Sequence, residues 1–88
     1  MKLIEFSQHA LDQLVDRGTN RKEVEEAICR GESIPAKKGR LGFRKNFPYS
    51  AMWRGRYYET KQVMPIVVEE SQCLVVVTVY VFYFGGKS

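Results

Sequence analysis

The stretch KQVMPIVVEESQCLVVVTVYVFYF, Lys61 to Phe84, decides how this chain folds. Two runs rich in Val, Ile, Tyr and Phe flank Glu70-Ser71-Gln72-Cys73. That composition predicts two antiparallel strands, Tyr57–Glu70 and Cys73–Phe84, joined by a tight turn. With Ser71 and Gln72 as the loop residues, Val68 faces Val75, Ile66 faces Val77 and Met64 faces Val79. This wholly apolar set is expected to be the covered face. Period-two alternation then sends Lys61, Val63, Pro65 and Val67, with Leu74, Val76, Thr78, Tyr80 and Phe82, to the opposite face. Pro65 lacks a ladder donor, which points to an edge position or a bulge.

Upstream of these strands, Phe43–Phe47 reads as another strand, and Ser33–Gly42, with one Pro and two Gly, reads as a loop. The first third is helical. Ser7 can cap a helix whose buried stripe is Ala10, Leu11, Leu14 and Val15, and Gly18 closes it. Asn20 with Glu23 starts a second helix, Val24, Ala27 and Ile28 form its inner face, and Gly31 ends it. So few residues separate the two that they must form a hairpin-like pair. Lys2–Phe6 alternates weakly, as a short strand would. The expected fold class is α+β: an N-terminal helical hairpin packed on one face of a twisted antiparallel sheet, with residues 1–88 forming a single domain.

Composition narrows the function classes. The chain is 44% hydrophobic and 27% charged, which is ordinary globular usage and argues against disorder. Cys29 and Cys73 lie far apart without a C-x-x-C pair, and His9 is the single histidine, so a structural zinc site is out of reach. Both thiols are expected to be buried in a reducing compartment. The apolar run from Leu74 to Phe84 is too short for a membrane helix, and the N-terminus has no signal-like apolar run. A soluble cytoplasmic domain needing no metal or cofactor follows, with no membrane partner.

The charge is localised. Between Lys37 and Lys61 stand eight of the 14 basic residues and a single acid, Glu59, a local balance of +7 against +4 for the whole chain. The bases are Lys37, Lys38, Arg40, Arg44, Lys45, Arg54, Arg56 and Lys61. Phe43, Phe47, Tyr49, Trp53, Tyr57 and Tyr58 interleave with them. Cations that neutralise phosphates beside rings that stack on bases are what single-stranded nucleic acid requires.

Several short motifs carry a resemblance: His9-Ala10, Arg17-Gly18-Thr19-Asn20, Glu23-Val24, Ala27-Ile28, Gly31-Glu32, Gly39-Arg40 and Val77-Thr78-Val79-Tyr80. In these the chain resembles a small bacterial family of domains of unknown function, family 4258, related to the RelE/ParE toxin superfamily. Gln13, four residues after His9, stands where that family usually carries arginine. The resemblance implies a RelE-like fold and an RNA-directed activity, since several superfamily members are toxins that cleave messenger RNA on the ribosome. It also implies an antitoxin-like protein as a possible partner.

Metal-free RNA cleavage needs a base for the 2′-hydroxyl, an acid for the leaving oxygen and cations for the charge on phosphorus. The candidate set for such an endoribonuclease is Lys61, Tyr80, Arg44 and His9, with Lys37, Lys38, Arg40, Lys45, Arg54 and Arg56 as the nucleic-acid-binding residues. His9 has the only side chain that ordinarily titrates near neutrality. The face assignment makes a geometric demand: Lys61 and Tyr80 should open onto one cleft bordered by Arg40 or Arg44. A binding module without catalysis is the alternative. So is pairing with another protein or a second copy, because Tyr80–Phe84 is hydrophobic on both faces.

Overall fold

The computed structural model describes residues 2–86. In chain order the elements are β1 (Leu3–Phe6), α1 (Gln8–Arg17), α2 (Arg21–Arg30), β2 (Glu32–Pro35), a 3-10 turn (Lys37–Gly39), β3 (Leu41–Trp53), β4 (Arg56–Glu69) and β5 (Cys73–Phe84). The fold is mixed α+β: two helices and a five-stranded sheet in the order β1-β5-β4-β3-β2. The chain therefore begins with a strand, not with the helical pair. That strand lies parallel to β5 while the other pairings are antiparallel, so the sheet is mixed rather than wholly antiparallel.

The helices form where their caps put them. The Ser7 hydroxyl accepts from the Ala10 amide (3.1 Å), and the Asn20 side chain accepts from the Glu23 amide (2.8 Å). Gly18 adopts φ 77, and its amide and that of Thr19 return to the carbonyls of Val15 and Leu14, which closes α1. A side chain at Gly18 would run into the Tyr83 hydroxyl and the Trp53 ring. Ala10 and Leu14 are buried, but Val15, expected on the same stripe, is 87% exposed. It lies one helical step past the stripe, about 100° around the axis.

The segment expected to be a loop holds β2, which pairs with the start of β3 at Ile34–Gly42 and Ser33–Phe43. Strand β3 runs well beyond Phe47. A two-residue turn, Arg54-Gly55, joins it to β4, both residues having positive φ (52 and 84) as a hairpin twisted to match its strands requires. Cys29 is exposed and Cys73 half-buried, so neither thiol is the buried group expected, and both are free.

The Ser71-Gln72 turn sets the register as expected at Val68–Val75. One step further on, a β-bulge intervenes: Val67 pairs with Val76, but Ile66 pairs with Thr78 and Met64 with Tyr80, leaving Val77 extra. The bulge is tied to α1, since Gln13 Oε1 accepts from the Val79 amide (2.7 Å) and from the Thr78 hydroxyl (2.9 Å). The expected pairs Ile66–Val77 and Met64–Val79 are therefore not formed.

On β4, and on β5 before the bulge, the expected covered face is also reversed, while beyond the bulge Val79 is covered and Tyr80 is outward as expected. Ala10, Leu14 and Val24 share a core with Val63, Val67, Val76 and Val79, and Pro65 is fully buried between them in sequence. Lys61 lies on this side too, its stem packed in and its ammonium reaching polar partners. Met64, Ile66 and Val68 point the other way, with Thr78 and Tyr80 beside them. Pro65 sits in β4, an interior strand rather than an edge. The β3–β4 ladder skips the positions opposite Met64 and Pro65, where the ring offers no donor, and the β5 bulge follows directly.

Candidate functional site

On the side of β4 turned away from the core, a groove of about 450 Å³ is floored by Met64, Ile66 and Thr78. Ile34, Pro35 and Ala36 bound it on one flank and Tyr80 on another, while Lys37, Lys38 and Arg40 supply its charge. The sequence builds this rim locally. The Ala36 amide donates to the Arg40 carbonyl (3.0 Å) and the Arg40 amide to the Lys37 carbonyl (3.3 Å). Lys38 and Gly39 both turn left-handed (φ 61 and 71), so the chain reverses within five residues and crowds three cations together. Among the described residues, none of these three has a carboxylate partner.

A row of rings leads away from the groove along β5. Tyr80, Phe82 and Phe84 are 40%, 45% and 42% exposed, unusually open for aromatic side chains on adjacent same-side positions of a strand. The Tyr80 and Phe82 rings are nearly parallel, with centroids 6.4 Å apart. The Arg17 guanidinium lies over Tyr80, 5.6 Å from its centroid, adding a fourth cation at the start of the row.

Four of the remaining candidates are engaged elsewhere, and two are exposed away from the groove lining. Lys61 is buried on the core side, where its ammonium meets Glu23 (2.7 Å) and donates to the Gly18 carbonyl (2.9 Å). Arg44 is bound to Glu32 (2.7 Å). Lys45 is bound to Glu26 (2.9 Å), and their hydrogen bond holds the Glu26 carboxyl below its usual range. Arg54 donates to the Asp16 carbonyl (2.8 Å), and Arg56 is exposed beside the hairpin turn. His9 is exposed on α1. Tyr80 and Arg40 do line one groove, but Lys61 lies across the sheet from them. The bulge at Val77 is the reason: it returns Tyr80 to the outer side while Lys61 stays on the core side. Lys61, Tyr80, Arg44 and His9 do not converge.

Part of the basic-aromatic cluster instead secures the end of α1. A helix leaves its last carbonyls without partners and carries negative potential there. Here the sheet supplies the donors: Arg54 to Asp16, the Tyr83 hydroxyl to Arg17 (2.8 Å) and Lys61 to Gly18. Trp53 stacks on Tyr83 (4.9 Å), and Tyr49 and Tyr58 close around it. Burial above all, with the neighbouring Tyr49 and Glu23, pushes the Tyr83 phenol up to about 12. The smaller groove of about 280 Å³ beside it, lined by Asp16, Arg17, Trp53 and Arg54, belongs to this junction. Sequence reasoning left Arg17, Phe82 and Phe84 out of the nucleic-acid-binding set and gave Gln13 no structural role. The alternating rings Tyr80, Phe82, Phe84 were a readable signal, whereas the role of Gln13 depends on a strand 66 residues away.

Among the described residues, no cluster of His, Cys, Asp or Glu could hold a metal ion, and no helix is long and apolar enough to cross a membrane. A sequence profile described as Domain of unknown function (DUF4258) matches residues 6–81. The chain belongs to the DUF4258 family. The DUF4258 match spans both helices, the basic turn and Tyr80, and ends before Phe82 and Phe84. No curated protein and no solved structure matches the chain.

Proposed function

We propose that this DUF4258 domain is a single-stranded RNA-binding module of RelE-like fold, with its helical pair on one face of the sheet and RNA on the other. The observation that carries the reading is the juxtaposition of Lys37, Lys38 and Arg40, free of acid partners among the described residues, with the exposed row Tyr80, Phe82, Phe84. Cations track phosphates and exposed rings accept bases, each ring contributing about 1–3 kcal/mol when a base stacks on it. Binding is favoured over cleavage. Lys61 and Tyr80 cannot act as base and acid on one phosphate from opposite sides of a sheet, and Lys61 is already committed to Glu23.

The test is titration of labelled single-stranded RNA with the wild type, with Lys37→Ala/Lys38→Ala/Arg40→Ala and with Phe82→Ala. Both variants should bind at least tenfold more weakly while the RNA stays intact in every mixture. Unchanged affinity in both would refute the surface assignment, and cut RNA that depends on Tyr80 would refute the non-catalytic reading. A protein on the same surface, an antitoxin-like partner or a second copy, is the second reading, favoured by the apolar floor of Met64 and Ile66. Light scattering that shows a dimer dissociated by Phe82→Glu would favour it.

A further inference from the structure

Resting on the RNA-binding reading, we infer that the groove takes the phosphate-terminated end of an unpaired strand rather than its interior. The charge distribution is the first ground. Lys37, Lys38 and Arg40 arise from one turn and line one groove, so their positive charge borders that groove instead of being strung out along the row of rings. An internal phosphodiester carries one negative charge, and a continuous strand is matched by cations strung out along it. A terminal phosphomonoester carries about −1.5 to −2 at pH 7 and offers three strong acceptor oxygens. The trio matches the monoester.

The shape of the groove is the second ground. Its flank is Ile34 and Pro35 of β2, the last strand of the sheet, and its floor is the apolar Met64 and Ile66 with Thr78, whose hydroxyl is bound to Gln13. At about 450 Å³ it falls in the ~300–1,000 Å³ range of small-ligand sites and has room for one nucleotide unit.

The direction of the rings is the third. Tyr80 lines the groove, and Phe82 and Phe84 carry on from it along β5, paired across the ladder with the uncharged Gln62 and Thr60. The 6.4 Å between the Tyr80 and Phe82 rings is about twice the ~3.4 Å rise of a duplex strand, so bases laid on successive rings are separated from one another. The bound order is therefore an end phosphate at the basic turn, then unstacked bases along Tyr80, Phe82 and Phe84.

The experiment uses one short oligoadenylate sequence with an internal fluorescent base, prepared with a 5′-phosphate, a 3′-phosphate, or hydroxyls at both ends. The inference predicts that one phosphate-ended strand binds about tenfold more tightly than the hydroxyl-ended strand. Which of the two prevails gives the polarity of the bound strand, and inorganic phosphate should compete with that strand alone. The Lys37→Ala/Lys38→Ala/Arg40→Ala variant should lose the preference. Phe82→Ala should weaken all three strands alike and keep it. Equal, salt-sensitive binding of all three strands would overturn the end-recognition inference and leave the RNA reading in place. No binding of any strand would overturn both. Circular dichroism of the triple variant, whose three changes lie on the surface, establishes that it is folded.

Discussion

Replacing Lys61 with Met separates a structural lysine from a catalytic one. The stem keeps its packing, and only the ammonium is lost. Two partners are then stranded: the Gly18 carbonyl at 2.9 Å and the Glu23 carboxylate at 2.7 Å. A buried carbonyl left without a donor costs about 1–3 kcal/mol. Removing one member of a fully buried ion pair costs about 3–5 kcal/mol. Glu23, however, is 22% exposed and keeps the Thr19 hydroxyl, so water and that bond offset part of the loss. The expected destabilisation is about 2–3 kcal/mol, and at ~4–8 °C per kcal/mol the melting temperature should fall by roughly 10–20 °C. Arg54→Ala is the control. Its pair with Asp16 is 3.6 Å long with side chains 66% and 74% exposed, so its loss should cost no more than about 1 kcal/mol. Urea unfolding measures both, and a cycle with Glu23→Gln isolates the pair. A Lys61→Met protein within about 0.5 kcal/mol of the wild type would refute the assignment of Lys61 to the helix junction.

Gln13→Ala should cost about 1–2 kcal/mol in the same assay, because the buried Val79 amide loses its acceptor, while Gln13→Glu, which can still accept, should lose less than half as much. The Tyr83 phenol is pushed from its ordinary 10 up to about 12, so the folded state favours the neutral hydroxyl that donates to Arg17. Its contribution is complete below pH 10 and is lost as pH rises through 12, so thermal stability should fall across that window and Tyr83→Phe should flatten the fall.

Local chemistry made much of this fold legible. The caps Ser7, Gly18 and Asn20 act within their own turns, and the bounds of β5 follow from an unbroken β-branched and aromatic run. The Ser71-Gln72 turn fixed the register beside it. The side of the sheet was not legible, because Val63, Pro65 and Val67 are as apolar as Met64, Ile66 and Val68, and Lys61 suggested solvent on the side that proved buried. The bulge depends on Gln13, and the cations Arg44, Lys45, Arg54 and Lys61 depend on acids brought near by folding. A basic run therefore reads as a single interface in sequence, while in the fold Lys61, Arg54 and Tyr83 hold α1 and Lys37, Lys38 and Arg40 stay available.

The proposed binding assigns those three cations, with Arg17, to the phosphates at one end of a single strand. It is tested most directly by the affinity for single-stranded RNA measured across a series of salt concentrations. A terminal phosphate of about −1.5 to −2 at the trio and one phosphodiester at Arg17 amount to about 2.5–3 neutralised charges, which at about 0.7 each predict a slope of log K against log salt of about −2, falling to about −0.7 in the Lys37→Ala/Lys38→Ala/Arg40→Ala variant. A wild-type slope near zero, or a slope that the triple variant leaves unchanged, would contradict it.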